Sequence, residues 1–285
     1  MTTTELEEPL EALQDLGFSE IEALVYTYLL QNEASTGYRV SHAIGKPTAN
    51  TYKAIASLQD QGAVLVDEGE NRVVRAVPPK ELLSQMSRDF QDRTKSAAEA
   101  LAELNLEVVD DRVYALKSAG QVLERARVML GRAKGMVLAD IFPEILEELK
   151  GDFIKAAARG CLVTVKVYDP TELTGCECIL QPDGRRVFSR WPGQQLSLVI
   201  DAEEHLLALF DDGLKDVHQA VWSRSTFLSC LHHNHLAMEH LVTLYSARRQ
   251  ESMEGADAAF QEHLNLSVLA SSPSGLQTLK SRYGR

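Results

Sequence analysis

The chain has 285 residues, of which 45% are hydrophobic and 25% are charged, and its formal net charge is −12 at pH 7. This length fits two domains, with enough apolar material for two cores. The acidic balance argues against a nonspecific nucleic-acid binder, four cysteines are too few for a disulfide scaffold, and no apolar run approaches the roughly 18 residues of a membrane span.

The first 33 residues predict two helices. Leucines at helical spacing indicate a helix over residues 5–16, which Gly17 ends. Ser19 and Glu22 have the spacing of a capping box at the start of a second helix, which runs to about residue 33. The core face of this second helix is expected to hold Ile21, Leu24, Val25, Tyr28 and Leu29.

A helix-turn-helix is predicted next. A third helix begins near Ser35 or Thr36 and ends at Gly45. Pro47 suits the first turn of a fourth helix, which ends at Gly62. The short turn between them carries a glycine and a proline, as this motif requires. The fourth helix is expected to face the core with Tyr52, Ile55 and Leu58.

Two short β runs follow the helices, at residues 63–66 and 72–77, and a polar turn containing Gly69 separates them. Helices followed by a hairpin are the pattern of a winged helix-turn-helix. The pair Pro78-Pro79 then ends the second strand.

A long helix is predicted from about Lys80 to Val108, roughly 43 Å in length at 1.5 Å per residue. A single helix cannot bury a heptad-like seam by itself, so we expect a dimer contact. The alternative is that the helix packs on its own C-terminal domain. The seam consists of Met86, Phe90, Arg93, Ala97, Ala100 and Leu104.

From Asp110 onward, strands alternate with amphipathic helices, which indicates an α/β sheet packed on both faces. Helices are expected at 119–132, 143–159 and 226–249, and the last 30 or so residues hold one helical piece and a tail. Strands are expected at 113–116, 136–140, 161–168, 186–191, 196–200, 205–210 and 218–222.

The predicted fold class is therefore α/β overall, with an N-terminal winged helix-turn-helix, a long linker helix and a C-terminal α/β sheet domain. The expected division is a DNA-binding domain at 1–79, a dimerisation linker at 80–109, an effector or dimerisation domain at 110–250 and a helical tail at 251–285.

Residues 10–85 resemble the N-terminal domain of TrmB-type transcriptional regulators. The matching features are the LGFSEIEALVY opening, the helix-turn-helix with KPTANTY, the LQDQGAV segment and a wing that closes on RAVPP. The resemblance implies a sequence-specific regulator that binds double-stranded DNA as a homodimer. An effector bound to the C-terminal domain is implied to control it.

Residues 112–245 are similar to the phospholipase D-like domain attached to many of these regulators. Active members carry H-x-K-x-x-x-x-D, with the histidine as nucleophile. If Asp201 is the aspartate, the histidine position holds Gln194 and the lysine position holds Leu196. Because glutamine cannot be that nucleophile and leucine cannot hold a phosphate charge, the catalytic chemistry does not carry over and no enzyme is expected.

DNA contacts are expected from the fourth helix, because asparagine can pair with adenine and threonine can meet a thymine methyl or a phosphate. The candidates on this helix are Thr48, Ala49, Asn50, Thr51 and Lys53. Phosphate contacts are expected from Tyr38, Arg39 and Lys46, and wing contacts from Arg72 and Arg75. The alternative is a winged helix used only for protein contacts, since the basic patch is weak.

An effector pocket is expected at the carboxyl ends of the C-terminal strands. The mixture of aromatic and polar side chains suggests a planar, polar or sugar-like ligand. The alternative is that both tryptophans fill the core between sheet and helices. The candidates are Asp140, Phe142, Tyr168, Asp169, Trp191, Gln194, Trp222 and Arg224.

The segment CLHHNHLAMEH brings histidine and glutamate to helical spacing, a pattern that can bind zinc, nickel or copper. No standard zinc spacing appears, so no metal is predicted, and the alternative is a helix whose histidines are hydrogen-bonded or solvated. The residues of a possible metal or thiol sensor are Cys176, Cys178, His232, His235 and Glu239.

Two other functions compete with the regulator hypothesis: a phosphodiesterase or nuclease of the phospholipase D type, and a module that binds another protein through its acidic surface and rod. The sequence lacks the G-x-S-x-G, Walker, G-x-G-x-x-G and H-E-x-x-H motifs. No cofactor and no membrane contact are expected. Because the acidic start lacks the pattern of a secretory signal, a cytoplasmic location with free thiols is expected.

Overall fold

The computed structural model describes residues 3–67, 69, 72–102, 110–188, 190–249 and 252–283. The chain forms two compact units, Met1–Leu106 and Glu107–Arg285, each with its own hydrophobic core. Among the described helices, none combines the length and the apolar composition needed to cross a lipid bilayer. The mixed α/β class, with a helical N-terminal region and a C-terminal sheet, is confirmed.

The N-terminal unit contains the predicted helices. The capping box is confirmed, since the Ser19 amide donates to the Glu22 carboxylate (2.6 Å) and the Glu22 amide donates to the Ser19 hydroxyl (3.4 Å). This reciprocal pair satisfies two backbone donors that a helix start leaves open. The five helices are α1 (Thr3–Asp15), α2 (Glu20–Gln31), α3 (Gly37–Ala43), α4 (Thr48–Asp60) and α5 (Pro79–Ala102).

A three-stranded antiparallel sheet completes this unit, in the order β1-β3-β2, with β1 at Ser35–Thr36, β2 at Val64–Val66 and β3 at Val73–Ala76. The predicted hairpin is β2–β3. Strand β1 was not predicted, because two residues carry no periodicity. The Tyr26 hydroxyl ties α2 to the end of the wing by donating to the Val77 carbonyl (2.7 Å).

Helix α4 packs on the core with a face that differs from the predicted one. Tyr52 was expected in the core but is 49% exposed, and its ring lies against Gly37, where a Cβ would come within 2.7 Å of it. At 100° per residue, Tyr52 is turned away from the buried side of the helix. The side chains that α4 buries are Thr51, Ala54, Ile55 and Leu58.

Helix α5 is buried only at its beginning. Leu82 belongs to the core, whereas every residue from Ser87 to Leu101 is exposed within the chain. Phe90 is 71% exposed. The remainder of the predicted rod, including Leu104 of the seam, falls on residues 103–109, which lie outside the described residues.

The C-terminal unit is built on a seven-stranded mixed sheet in the order β4-β10-β9-β8-β5-β6-β7. Strands β5, β6 and β7 are parallel, and the other neighbours are antiparallel. The strands are β4 (Val113–Ala115), β5 (Met136–Ile141), β6 (Leu162–Val167), β7 (Glu177–Leu180), β8 (Gln194–Ile200), β9 (Glu204–Phe210) and β10 (Val217–Ser223).

Helices cover both faces of this sheet, as predicted. Helices α6 and α7 pack on one face, and Leu236 and Ala237 of α9 pack on Leu138 and Val199 of the other. The helices are α6 (Ala119–Arg132), α7 (Pro143–Ala158), α8 (Gly184–Phe188), α9 (Thr226–Arg249), α10 (Met253–His263), α11 (Val268–Ser271) and α12 (Ser274–Tyr283), with a 3₁₀ turn at Leu264–Leu266.

Two predictions for this unit are wrong. Residues 186–191 were expected to form a strand, but Gly184–Phe188 is the short helix α8, and β7 is the strand at that edge of the sheet. A run of six residues with mixed polarity does not distinguish the period of a helix from that of a strand. The tail contains three helices and a 3₁₀ turn rather than one helical piece, and α10 and α12 pack along α9.

Candidate functional site

Helix α4 presents three of the predicted DNA-contacting residues on the side opposite its core face. Ala49, Asn50 and Lys53 are exposed, and Tyr52 lies beside them. We call these four residues the reading face. Within the described part of the chain, no hydrogen bond or ion pair engages the side chains of Asn50 and Lys53. Their polar groups are therefore available to a partner.

The two threonines at the start of α4 are less available than predicted. Thr51 is wrongly assigned to the DNA-contacting set: it is fully buried, and its hydroxyl donates to the Pro47 carbonyl (3.2 Å). Thr48 is half-buried, with its hydroxyl 3.1 Å from that of Ser41. This hydrogen bond joins α3 to the start of α4.

Helix α3 and the turn after it carry the predicted phosphate contacts. Tyr38 and Arg39 are exposed, and the Tyr38 ring lies 4.5 Å from that of His42, edge to face. Lys46 is half-buried, and its ammonium group forms an ion pair with the Glu20 carboxylate (2.8 Å). The Glu20 carboxylate partly neutralises Lys46, whereas no ion pair engages Arg39 among the described residues.

The wing supplies two further exposed cations. Arg75 lies on β3, and Arg72 precedes this strand with a positive φ of 38°. Neither arginine has an ion-pair partner among the described residues. Arg39, Lys53, Arg72 and Arg75 are thus four exposed cations of the N-terminal unit, although residues 1–80 contain six basic and twelve acidic side chains.

The predicted effector residues at the carboxyl end of β5 and β6 form a filled, buried network. The Tyr168 hydroxyl donates to Asp140 (2.9 Å), and the Lys166 ammonium lies 3.1 Å from the same carboxylate and 3.1 Å from Glu239. The Phe142 ring packs edge-on against that of Tyr168, with 4.5 Å between centroids. The expectation that Asp140, Phe142 and Tyr168 line an open pocket is wrong, because all three are buried and the polar groups of Asp140 and Tyr168 are bonded to each other.

The remaining candidates near that edge are dispersed. Gln194 is buried, and its side-chain oxygen accepts from the Glu144 amide (3.4 Å). Asp169 is half-buried in the segment after β6. Trp191 is exposed beside Arg190 and lines a small cavity of about 330 Å³. These residues do not converge on one site.

Trp222 and Arg224 lie at the opposite end of the sheet, which corrects the prediction that they join the others. The neighbouring pairs β5–β8, β8–β9 and β9–β10 are all antiparallel, so β10 runs in the direction opposite to β5. Strand β10 therefore ends at the edge of the sheet where β5 begins. There the Trp222 indole donates to Glu204 (2.6 Å), and the Arg125 guanidinium lies 4.1 Å from the indole ring. The prediction missed a signal: only three residues join β8 to β9, too few for a parallel crossover.

Asp201, the aspartate of the degenerate phospholipase motif, has a structural role. Its carboxylate accepts from the backbone amides of Lys134 (2.9 Å), Gly135 (2.8 Å) and Met136 (2.8 Å). These bonds fix the turn into β5. Leu196, at the motif's lysine position, is fully buried in the core.

Of the candidates for a metal or thiol sensor, His232 and Glu239 have side-chain partners and the two cysteines are half-buried. The His232 ring lies 2.8 Å from the Ser197 hydroxyl, and burial lowers the pKa of His232 to about 3, so the ring is neutral at pH 7. Burial raises the pKa of Cys176 to about 11 and raises that of Cys178 as well. His235 is exposed, and Glu239 is engaged by Lys166. In the described ranges, no three histidine, cysteine, aspartate or glutamate side chains are grouped to hold a metal ion.

Sequence reasoning missed two exposed residues that lie next to predicted DNA contacts in the sequence, Tyr52 and His42. His42 was open to discovery, because helical geometry places it one turn after Tyr38, whereas the exposure of Tyr52 follows only from the burial of its neighbour Thr51 in the structure. Tyr52 was assigned to the core because it is aromatic, and His42 was not considered.

Comparison with protein families identifies both units. The family described as "Sugar-specific transcriptional regulator TrmB" matches residues 13–80, and that described as "Transcriptional regulator TrmB, EBD N-terminal subdomain" matches residues 112–204. The chain belongs to the TrmB family. The TrmB resemblance inferred from the helix-turn-helix is thereby confirmed, whereas the phospholipase D-like character of the C-terminal unit stays a prediction.

Curated relatives of this TrmB-family chain match over part of their length. It is 28% identical to the uncharacterized protein YrhO of Bacillus subtilis over 163 residues, which are 57% of this chain and 59% of YrhO. It is 28% identical to the HTH-type sugar sensing transcriptional regulator TrmBL1 of Pyrococcus furiosus over 148 residues, 51% of this chain and 43% of TrmBL1. The chain thus spans about half the length of these relatives.

Among solved structures, the archaeal chromatin protein TrmBL2 is similar, with 21% sequence identity and a TM-score of 0.39. The match covers 79% of this chain and 93% of that one.

Proposed function

We propose that the protein is a sequence-specific DNA-binding transcriptional regulator of the TrmB type. The observation that carries the proposal is the reading face: α4 buries one side in the core, while Asn50 and Lys53 on the other side have no partner among the described residues. An asparagine amide can pair bidentately with adenine, and a lysine can neutralise a phosphate. The exposed cations of α3 and the wing would add phosphate contacts.

Fluorescence anisotropy with DNA from upstream of the protein's own gene tests this function. Lys53→Ala is expected to weaken binding to all sequences and to reduce the slope of log affinity against log salt by about 1. Asn50→Ala is expected to cost about 1–3 kcal/mol and to relax base preference at one position. Lys215→Ala, an exposed lysine in the other unit, is the matched control. Binding that is absent, or insensitive to salt and sequence, would contradict the proposal.

We also propose a homodimer that pairs through α5. Fifteen successive residues of this helix, Ser87–Leu101, are exposed within one chain, and they include Phe90 and Leu101. A helix with an uncovered apolar seam is stabilised by a second copy. Helix-turn-helix dimers bind two half-sites that lie one helical turn of DNA apart. A pair of α5 helices would set the distance between the two DNA-binding units.

Light scattering on paired variants tests the dimer. Phe90→Glu is expected to produce monomers and to weaken DNA binding, whereas Gln91→Glu places the same charge on an adjacent exposed position outside the seam and should leave the dimer intact. A Phe90→Glu protein that remains dimeric would exclude α5 as the interface.

The C-terminal unit is proposed to be a non-catalytic effector domain. Its support is the match of residues 112–204 to a TrmB effector-domain subdomain, together with a glutamine and a leucine where a phospholipase motif needs histidine and lysine. Because TrmBL1 is described as sugar sensing, sugars are the first ligands to test by thermal shift. Hydrolysis of bis-p-nitrophenyl phosphate that is lost in Asp201→Asn would instead indicate a phosphodiesterase.

A further inference from the structure

A cavity of about 1010 Å³ lies at the end of the sheet opposite the Asp140 network. It is larger than the cavities beside Trp191 (about 330 Å³) and beside His232 (about 430 Å³). Its walls come from the ends of α6 and α7, the turns around β5 and β8, the segment after β10, and the α11–α12 connection. A volume of this size accommodates a small metabolite with its hydration.

Four basic side chains from three segments of the chain line this cavity: Arg132, Lys134, Arg159 and Arg224. Lys134 and Arg224 are exposed and have no side-chain partner among the described residues. The Arg159 guanidinium is held in place by donating to the Leu130 carbonyl (2.5 Å), and this bond leaves its charge unneutralised.

The acidic residues of the cavity are largely committed elsewhere. The Asp201 carboxylate accepts three backbone hydrogen bonds, and the buried Glu204 carboxylate accepts from the Trp222 indole and lies 3.8 Å from Arg132. Glu203 is the acidic lining residue that stays exposed. With four cations against three carboxylates, the formal charge of the lining is +1, in a chain whose net charge is −12.

The cavity wall is held rigidly. Asp201 and Ala202 adopt positive φ angles of 52° and 54°, which cost energy for residues other than glycine. Helix α12 packs directly on this turn: the Gly275 amide donates to the Asp201 carbonyl (3.0 Å), and a Cβ at Gly275 would come within 2.1 Å of the Ala202 carbonyl. The backbone of this turn is therefore fixed by its contacts with α12.

We infer that this cavity binds a small phosphorylated, hydroxylated metabolite, and that this ligand is the effector of the proposed regulator. Guanidinium groups match phosphate oxygens in a bidentate manner, and a lysine adds a point charge. Arg224, Arg159 and Lys134 provide this set. Glu203 with the hydroxyls of Ser271 and Ser274 offers hydrogen-bond partners for sugar-type hydroxyl groups.

Isothermal titration calorimetry on the full chain without DNA tests the site. The probes are glucose 6-phosphate, glycerol 3-phosphate, glucose and inorganic phosphate. At least one phosphate ester is expected to bind saturably and at least tenfold more tightly than either glucose or inorganic phosphate. Lack of saturable binding by both esters would overturn the inference, and so would equal binding of glucose or of inorganic phosphate.

Substitutions in the cavity test whether the phosphate ester binds there. The double variant Lys134→Gln/Arg224→Gln is expected to lose at least tenfold in affinity for the ester, whereas Lys215→Gln, an exposed lysine outside the cavity, is expected to match the unaltered protein. Unchanged affinity in the double variant would overturn the site, and its circular dichroism spectrum verifies folding. DNA binding measured without ligand should persist in the double variant, so failure of this site is distinguishable from failure of the regulator proposal.

Discussion

The reading face of α4 and the Asp140 network contain similar polar residues in opposite states. Asn50 and Lys53 are exposed, and no described residue pairs with their side chains. Asp140, Lys166 and Tyr168 are buried and bonded to one another at 2.9–3.1 Å. The difference teaches that residue type alone does not mark a binding site. A polar group is available to a ligand only when the fold has not already satisfied it.

The strongest test of this comparison is Lys166→Met. The substitution leaves Asp140 buried without its cation, and breaking a buried ion pair costs about 3–5 kcal/mol of unfolding free energy. Urea unfolding monitored by circular dichroism measures the loss. Lys155→Met, which removes an exposed lysine paired with Asp152, is the control and should cost less than about 1 kcal/mol. If the two variants lose equal stability, the network is not a structural element.

The pH dependence of stability provides the next test. Burial lowers the pKa of His240 to about 4, against about 6.5 in an unfolded chain. Between these values the unfolded state binds the extra proton, so stability falls as the pH falls from about 6.5 toward 4. This group alone should cost about 2 kcal/mol between pH 6.5 and 5.

His240→Gln removes this contribution, and urea titrations at several pH values would reveal a shallower slope. His232, whose pKa burial also lowers, contributes with the same sign and stays in the variant. An identical slope in both proteins would mean that His240 is not buried in its neutral form.

The prediction with the smallest expected effect compares a hydrogen-bonded polar residue of the N-terminal unit with an unpaired one. Ser19→Ala removes the capping box and should cost about 1 kcal/mol of stability, without altering DNA affinity per folded molecule. Lys53→Ala should change stability by less than about 0.5 kcal/mol while it weakens DNA binding. Thermal denaturation and anisotropy on the same two variants measure both properties. A loss of DNA affinity in Ser19→Ala, together with a loss of stability in Lys53→Ala, would contradict the distinction between hydrogen-bonded and unpaired polar residues.

Local structure was determined largely by the sequence itself. Helical spacing, the Ser19–Glu22 box and the glycine stops predicted α1 to α4, and the winged pattern led to the TrmB resemblance that family comparison confirmed. Helix α9 was predicted with both of its ends. These features depend on hydrophobic period and capping chemistry, which are properties of neighbouring residues along the chain.

Only the tertiary structure decided which polar residues are free and which ends of the strands meet. Trp222 and Arg224 were assigned to the wrong end of the sheet. The three-residue connection between β8 and β9 already excluded a parallel pair, but that β10 pairs antiparallel with β9 was decided by the tertiary structure. Thr51 was assigned to the surface and Tyr52 to the core, the reverse of their burial, because the rotation of α4 is set by packing against the rest of its unit. Strand pairing and side-chain burial depend on residues that are distant in the chain, so a local sequence pattern does not predict them.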